Sequence, residues 1–212
     1  MPNSAPHRHS KKRPYHHGHL RSAVIDAALA LISQHGPRGF SLSQAAKLAG
    51  VTVGAPYRHF PDKEALFAAI AAQGFTELTE RVEAVAAATP GDPRQQLIGI
   101  GEAYVQFALD RPSHFQVMFD SKIHRRGDPA VNEPAHRSFE ILAAAVRQAT
   151  HQDNAHRQET LIVAFWSMIH GQAIFALDGC FSNMEFHTSA QALLRDSLEW
   201  FADAFTRQSD SA

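Results

Sequence analysis

Apolar residues recur every three or four positions along most of the chain, and this spacing constrains the fold more than any other feature of the sequence. Leu97, Ile100, Tyr104 and Phe107, for example, fall on one face of a helix. No stretch alternates apolar and polar residues for long enough to predict a β-strand. Repeats of roughly 20 to 50 residues are also absent from the sequence. The sequence therefore predicts an all-α fold.

Glycine and proline pairs divide this pattern into separate helices. Ser41 and Asp62 precede two of them and are placed to cap their first turns. Residues 120–134 contain Gly127 and two prolines, and we expect them to form a polar loop. The helix at 155–178 has apolar residues on nearly all sides, so it should be buried on most faces. In total we expect helices at residues 20–35, 42–49, 53–60, 63–88, 93–110, around 139–146, 155–178 and 187–207, with a brief apolar segment at 115–119.

The charge of the chain is unevenly distributed, although its sum is only −1. Residues 1–63 contain nine Lys or Arg side chains and two acidic ones, whereas residues 64–212 contain eleven basic and nineteen acidic side chains. A basic front suggests contact with a polyanion, and a solvated basic tail would give the same pattern. Residues 1–14, which include Lys11, Lys12 and Arg13, are polar and punctuated by prolines, and we expect them to form a flexible basic arm.

Composition argues against several other classes of protein. With 44% hydrophobic and 19% charged residues, the chain is apolar enough and long enough to fold around a core. The single cysteine, Cys180, excludes an internal disulfide and a cysteine-rich zinc site, and is typical of a reducing compartment. No uninterrupted apolar run reaches the ~18 residues of a membrane span, and no apolar segment of a secretory signal follows the basic N-terminus. We therefore expect a cytoplasmic protein with no membrane partner.

Fourteen histidines raise the question of a metal site. Five of them cluster at positions 7, 9, 16, 17 and 19, but no cysteine or carboxylate is interleaved at ligand spacing. The sequence contains no His-Glu-x-x-His motif and no glycine-rich phosphate loop. No nucleophile with a catalytic partner can be identified either. We expect neither a metal nor a cofactor, and an enzyme is the least favoured functional class.

Three short helices at the front of the chain, the last two joined by a glycine turn, predict a helix-turn-helix. Ala45 and Ala46 are small enough for two helices to pack closely. Gly50 supplies the backbone conformation that the turn needs, and Val51 is the apolar residue just after it. Together with the basic charge of this region, the motif predicts DNA binding.

Several runs of residues resemble the DNA-binding domain of the TetR family of transcriptional regulators. The resemblance spans about residues 15–75, and the run from Tyr57 to Leu66 is its most specific part. A shorter run, Phe165-Trp-Ser-Met-Ile-His-Gly171, resembles the Trp/His/Gly signature of one class of C-terminal domains in that family. The front runs are YHHGHLR at 15–21, FSL at 40–42, AA at 45–46, AGV at 49–51, APYRHF at 55–60 and DKEAL at 62–66.

The resemblance implies a homodimer built from two domains. Residues 15–62 would form the helix-turn-helix domain, and residues 63–212 a larger helical domain that binds a small molecule and dimerises. Pro56 stands where the family more often has an aliphatic residue, and it falls in the first turn of the recognition helix. The DNA-binding residues carried over from the family are Ser41, Ser43, Val53, Gly54, Ala55, Tyr57, Arg58, His59 and Lys63, of which Ser41, Ser43, Tyr57, His59 and Lys63 are placed to meet phosphates.

Elementary chemistry agrees with these roles. Arg58 can donate two hydrogen bonds to guanine in the major groove. Ser41 precedes a helix N-terminus, where unpaired N–H groups and the helix dipole favour phosphate. Small residues at 54 and 55 let the backbone approach the groove. The arm residues Lys11, Lys12 and Arg13 could enter the neighbouring minor groove, or could serve only as a solubilising tail.

The second domain carries the expected effector site and dimer interface. Trp166 and His170 share one helical face, and His170 is either a hydrogen-bonding group of a pocket or a core histidine. Aromatic walls suit a small apolar or aromatic effector, although any single residue of the set could be plain core. We expect the last two helices to pair with their twofold copies in a four-helix bundle. The candidate ligand-binding residues are Tyr104, Phe107, Phe115, Met118, Phe119, Phe139, Trp166 and His170.

These features predict a sequence-specific DNA-binding regulator, acting as a repressor that a small-molecule effector releases from its operator. Its dimer would bind a palindromic site with half-sites ~34–36 Å apart. Two other classes stay open at this point. An architectural DNA-binding protein would show no stabilising ligand in a thermal-shift screen, and a helical enzyme would keep its turnover after deletion of residues 1–63.

Overall fold

A computed structural model of the chain describes residues 20–120, 127–150, 153–184 and 186–206. Every regular element in these ranges is helical, which confirms the all-α prediction. The predicted arm and the five-histidine cluster lie outside the described residues. The helices are α1 (Leu20–His35), α2 (Leu42–Leu48), α3 (Lys63–Ala88), α4 (Pro93–Asp110), α5 (Pro112–Met118), α6 (Pro129–Thr150), α7 (Ala155–Leu177), α8 (Cys180–Asn183) and α9 (Ala190–Thr206), with a 3₁₀ turn at Pro56–Arg58.

Helix α2 begins and ends as its sequence predicts. Ser41 caps it through a capping box, in which the Ser41 side chain accepts from the backbone N–H of Gln44 and the Gln44 side chain accepts from the backbone N–H of Ser41. At the other end Gly50 takes φ = 72°, and the N–H of Val51 donates to the carbonyl of Ala46 at 3.0 Å. This is a Schellman motif, which satisfies the last carbonyls of the helix and turns the chain towards residue 52.

The third helix of the front domain is shorter than expected. Residues 53–60 were predicted to be helical, but only the single 3₁₀ turn at Pro56–Arg58 forms. Pro56 has no N–H and cannot bond to the carbonyl four residues earlier, so the preceding segment closes by i→i−3 bonds such as Ala55 N–H to Thr52 O at 2.9 Å. The prediction of an α-helix here was therefore wrong. Pro56 itself starts the turn and is buried.

Helix α3 joins the front of the chain to the body. Asp62 caps it by accepting from the N–H of Ala65 at 2.7 Å, and the helix runs without interruption through Gly74. The absence of a side chain at Gly74 serves packing, because a Cβ there would lie 2.4 Å from the sulfur of Met118 on α5. The buried face of α3 belongs to one apolar core that runs continuously from α1 into the body.

The body is a layered helical bundle around α3 and α4. Helix α3 packs against α4, α5 and α6, and α4 packs in addition against α7 and α9. Helix α5 also contacts α1, and the Ser113 hydroxyl donates to the carbonyl of Leu29 at 3.2 Å. The short α5 therefore links the body directly to the front domain.

Helix α6 starts earlier than the sequence suggested. Residues 120–134 were expected to form a loop, but α6 begins at Pro129, and the Asp128 side chain accepts from the N–H of Ala130 at 2.9 Å. Pro129 occupies the first helical position, where its missing N–H costs nothing. Pro134 lies inside the helix and forfeits one backbone bond there, yet buried residues on both sides of it hold the helix together. The loop prediction is wrong for residues 129–134.

Helix α7 is less buried than its composition suggested. Ile162, Phe165, Ile169 and Ala173 face the core, but other apolar side chains of this helix, including Phe175, are exposed in the single chain. Within the described part of the chain, α7 is also the one helix long and apolar enough, by length and composition, to cross a membrane. The apolar face that α7 leaves open lies on the element expected to contribute to a dimer interface.

Candidate DNA-binding surface and effector cavity

Residues 52–60, which we call the reading segment, follow α2 in the chain and carry several exposed side chains. Tyr57 is 52% exposed and Val53 43% exposed, and Arg58 and His59 also face solvent. Gly54 has no side chain and is exposed, so the backbone is accessible there. Four of the predicted DNA-contacting side chains are thus exposed within this one short segment. Ala55 is partly buried and contributes backbone rather than a protruding side chain.

Two buried residues hold the reading segment in place. Pro56 is buried at the start of the 3₁₀ turn, and Phe60 is 2% exposed at its end. The Phe60 N–H donates to the carbonyl of Pro56 at 2.9 Å, which closes the segment between these two anchors. The guanidinium of Arg21 lies 5.6 Å from the centre of the Phe60 ring and covers it from solvent. The exposed residues 57–59 therefore lie between two side chains that are fixed in the core.

The two predicted serines differ in availability. Ser41 is exposed, but its hydroxyl is also part of the capping box and lies 3.0 Å from Oε1 of Gln44. Its position at the N-terminus of α2 places it beside unpaired N–H groups of the first turn. Ser43 lies two residues later and is partly buried.

Lys63 has a structural role that the sequence did not reveal. Its ammonium donates to the backbone carbonyl of Phe40 at 2.5 Å and lies 4.1 Å from the centre of the Phe40 ring and 5.2 Å from that of Phe67. Burial lowers the pKa of this ammonium, against the opposing charge of Glu64. Lys63 thus ties the first turn of α3 to Phe40, the residue just before the cap of α2.

The body contains a small cavity of about 50 Å³ between α3, α4, α6 and α7, which we call the aromatic cavity. This volume holds only a few water molecules. Four predicted ligand-binding residues line it, namely Tyr104, Phe119, Phe139 and Trp166. The other lining residues are Phe75, Leu78, Val82, Ile100, Ala135, Ser138 and Leu142.

The remaining predicted ligand residues take other positions. Phe107 and Met118 are fully buried core residues. Phe115 is also fully buried, and its ring stacks on His170 with 5.4 Å between ring centres. His170 lies behind the wall of the cavity, where it contacts Tyr104 and Phe119. Sequence reasoning missed the wall from α3, although Phe75, Leu78 and Val82 follow the helical spacing that marks one face.

A chain of hydrogen bonds connects the wall of the aromatic cavity to His170. The hydroxyl of Tyr104 lies 2.9 Å from Nδ1 of His170. Burial raises the pKa of the Tyr104 phenol, and a hydrogen bond from Trp166 acts in the opposite direction. The phenol keeps its proton, and the tautomer of His170 decides which of the two groups donates in this bond. The polar side chains of the cavity wall are therefore Tyr104, Trp166 and Ser138, whose hydroxyl donates to the carbonyl of Ala135 at 2.9 Å, and the rest of the wall is apolar.

The burial of His170 leads to a pH prediction. Burial lowers the pKa of His170 below its ordinary value of 6.5, so the unfolded chain takes up a proton more readily than the folded one. The contribution to stability is intact above pH 6.5 and is lost as the pH falls from there towards the lower pKa of the folded state. We expect the unfolding midpoint to decrease between about pH 7.5 and 5.5, and to decrease less for His170→Asn, which keeps an acceptor for Tyr104. Equal decreases in both proteins, measured by circular dichroism, would exclude His170 as the cause.

Comparison with known proteins assigns the family. A family model described as bacterial regulatory proteins of the tetR family matches residues 24–70, and one described as a tetracyclin repressor-like C-terminal domain matches residues 97–201. An HTH-type transcriptional repressor of Mycobacterium tuberculosis is 31% identical over 141 residues, which cover 65% of this chain and 68% of the relative. The chain belongs to the TetR family of transcriptional regulators.

A second curated relative supports this assignment, and a solved structure shares the fold. The HTH-type transcriptional regulator AcrR of Shigella flexneri is 42% identical over 89 residues, which are 40% of this chain and 41% of that regulator's length. A solved structure of a protein with unknown function from Rhodococcus sp. RHA1 is 27% identical, with a TM-score of 0.76, and the match covers 92% of this chain and all of that one. Members of the family bind operator DNA and small-molecule ligands, form dimers, and are transcriptional regulators rather than enzymes. The Trp/His/Gly signature at 165–171 stays a prediction.

Proposed function

We propose that the protein is a homodimeric, cytoplasmic transcriptional repressor that binds a palindromic operator and is released from it by a small molecule. Residues 15–62 read the DNA, with residues 1–14 as an accessory arm, and residues 63–212 bind the effector and dimerise. The observation that carries this proposal is the reading segment, whose exposed Tyr57, Arg58 and His59 stand on two buried anchors. The Mycobacterium tuberculosis relative is itself named a repressor.

The reading segment divides its work between phosphates and bases. Tyr57 and His59 flank Arg58 and are suited to phosphate oxygens, as is the exposed N-terminus of α2 with Ser41 and Ser43. Arg58 is the residue that can distinguish a guanine, while Val53, Gly54 and Ala55 let the segment lie close to base edges. Lys63 supports this surface by fixing Phe40, and reaches a phosphate only if its ammonium leaves the Phe40 carbonyl.

Arg58→Ala should weaken binding to the preferred operator by about 1–3 kcal/mol and leave binding to scrambled DNA nearly unchanged. The guanidinium provides the base contact, whereas phosphate contacts persist in the variant. Fluorescence anisotropy with both duplexes measures the two affinities. Equal losses on operator and scrambled DNA would show that Arg58 contacts only the backbone.

Tyr57→Phe serves as the matched comparison for Arg58→Ala. Removal of the Tyr57 hydroxyl should weaken both duplexes by the same factor, because a phosphate contact carries no sequence information. Wild-type affinity should also fall steeply as the salt concentration rises. A flat salt dependence would argue against phosphate contacts by this surface.

The effector site is the aromatic cavity. Tyr104, Trp166 and Ser138 are the polar side chains of its lining, and the others are apolar, so a small apolar or aromatic molecule with one hydrogen-bonding group suits it. At about 50 Å³ the cavity is too small for such a molecule. Binding therefore favours a conformation in which the helices around the cavity stand further apart.

Helix α3 connects this change to the DNA. It starts at Lys63 beside the reading segment, and its residues Phe75, Leu78 and Val82 line the cavity. A displacement of α3 would alter the spacing of the two reading segments in the dimer and release the operator. A thermal-shift screen of small aromatic molecules tests this part of the proposal, and a complete lack of stabilising ligands would favour an effector-independent DNA-binding protein.

The dimer interface is formed by α7 and α9. Val163 and Phe175 on α7 are 54% and 47% exposed, and Trp200 on α9 is 73% exposed. These are large apolar side chains on the two helices that the family resemblance assigns to dimerisation. Pairing them with their twofold copies would remove them from water and supply most of the driving force for association.

A further inference from the structure

A second and larger cavity lies on the other side of α4 from the aromatic cavity. Its volume is about 550 Å³, and its walls come from α4, α7, α8, α9 and the end of α3. The two cavities have no lining residue in common. Helix α4 separates them, since Ile100 and Tyr104 line the aromatic cavity whereas Glu102 and Gln106 line the second one. The second cavity has a size typical of sites for drug-sized molecules.

Gln172 lines this cavity, and its side-chain amide has a hydrogen-bond acceptor that is unsatisfied within the described part of the chain. The Gln172 Nε2 group donates to the hydroxyl of Ser197 at 2.6 Å. That hydroxyl lies 2.8 Å from the carbonyls of Leu193 and Leu194, so its single proton points to α9 and it must accept from Gln172. The orientation of the amide is thereby fixed. Its Oε1 is shielded from solvent and has no hydrogen-bond partner among the described residues.

The rest of the lining defines the polarity of a ligand. Arg195 and Glu102 both line the cavity and form an ion pair at 3.0 Å, so their charges compensate each other. Leu109, Phe181 and Leu194 provide apolar surface. A charged ligand would have to compete with this pair, whereas a neutral one would not. A group that donates to Gln172 Oε1 would satisfy an otherwise unpaired buried acceptor, once the neighbouring side chains shift to admit it.

We propose that this cavity is a second small-molecule site, distinct from the aromatic cavity, for a neutral and mainly apolar molecule with a hydroxyl or N–H donor. The donor binds Gln172 Oε1, and the apolar part lies against Leu109, Phe181 and Leu194. Helix α4 forms a wall of both cavities. A molecule bound in the second cavity therefore contacts the same helix that carries Tyr104. The regulator would then respond to two chemically different ligands.

The test uses 4-hydroxybiphenyl as the probe and 4-methoxybiphenyl, which lacks the donor, as its matched control. The host is the full-length Ala135→Phe protein, in which a phenylalanine fills the aromatic cavity. Calorimetric titration should show one probe bound per chain, with an affinity about 3- to 10-fold higher for the hydroxyl compound than for the ether. Adding Ala176→Phe, which places a ring inside the second cavity one helical turn from Gln172, should weaken binding. Gln172→Met should keep binding but remove the preference for the hydroxyl compound.

Circular dichroism and light scattering confirm that each variant is folded and has the same oligomeric state as the wild type. The proposal is wrong if Ala135→Phe shows no saturable binding, which would place any wild-type site in the aromatic cavity. It is also wrong if Ala176→Phe leaves binding unchanged, or if Gln172→Met keeps the preference for the hydroxyl. None of these measurements involves DNA, so their outcome does not depend on whether the reading segment binds DNA as proposed.

Discussion

Replacing Phe60 by alanine should destabilise the protein by about 3–5 kcal/mol and abolish operator binding at the same time. Phe60 is fully buried, and its backbone N–H closes the reading segment onto Pro56. Loss of its ring leaves a cavity beneath the segment and removes the surface that Arg21 covers. Chemical denaturation measures the stability, and fluorescence anisotropy with operator DNA measures the binding.

Tyr57→Ala is the matched control for Phe60→Ala, because the two aromatic residues lie three positions apart. Tyr57 is 52% exposed, so its removal should change stability by no more than about 0.5 kcal/mol while it still weakens DNA binding. The two variants thus separate support of the reading segment from contact with DNA. A stable Phe60→Ala protein with intact operator binding would contradict the role assigned to Phe60.

Replacing Val163 by glutamate should convert the dimer to a folded monomer and lower operator affinity at least about 100-fold. Val163 is 54% exposed in the single chain, on the face of α7 that we assign to the dimer. A carboxylate on each copy would have to be buried in that contact, which costs free energy unless a basic group pairs with it. The large loss of affinity follows because one reading segment would then have to bind without the second. Light scattering measures the mass, and anisotropy measures the affinity.

Leu109→Glu provides the matched control for Val163→Glu. Leu109 is also exposed, at 46%, but it lies on α4 rather than on α7 or α9. This variant should remain a dimer with wild-type affinity for the operator. Retention of the dimer by Val163→Glu, or loss of the dimer in both variants, would show that the interface lies elsewhere.

Elements with strong local signals could be predicted from the sequence. Helix α1 ends before Gly36-Pro37, and α2 and α3 begin after Ser41 and Asp62, because caps and breakers act on neighbouring residues only. The exposed side of the reading segment follows from the same local pattern. The type of helix in this segment could not be predicted, because propensity does not decide between an α-helix and a 3₁₀ turn once Pro56 removes one backbone bond.

Features that depend on distant contacts could not be predicted. The early start of α6 requires burial of residues such as Val131 against other helices, and the polar sequence around it gave the opposite signal. The aromatic residues 107, 115 and 119 have similar sequence character, yet only Phe119 lines the aromatic cavity. The role of Lys63 depends on Phe40, which lies 23 positions earlier in the chain. Side-chain chemistry marked these residues as candidates, but their positions depend on packing between distant parts of the chain.

Helix α7 is a further case in which the sequence pattern did not predict burial within the single chain. An almost uniformly apolar helix predicts burial on most faces, and within one chain that burial is incomplete. The sequence pattern records what the assembled protein buries, including surface that a second copy would cover. The exposed side chains of Val163, Phe175 and Trp200 are the surface that the proposed twofold partner would cover.

Selection of bound DNA from a random duplex pool by the full-length protein tests the central claim most directly. The reading segment of each copy should enrich the same half-site, and the dimer should enrich two inverted copies with centres about one helical turn apart, ~34–36 Å. Sequencing of the selected pool therefore should show a palindrome with a guanine that Arg58→Ala no longer requires. A pool without enrichment, or a single asymmetric site, would contradict the assignment of this protein as a dimeric operator-binding regulator.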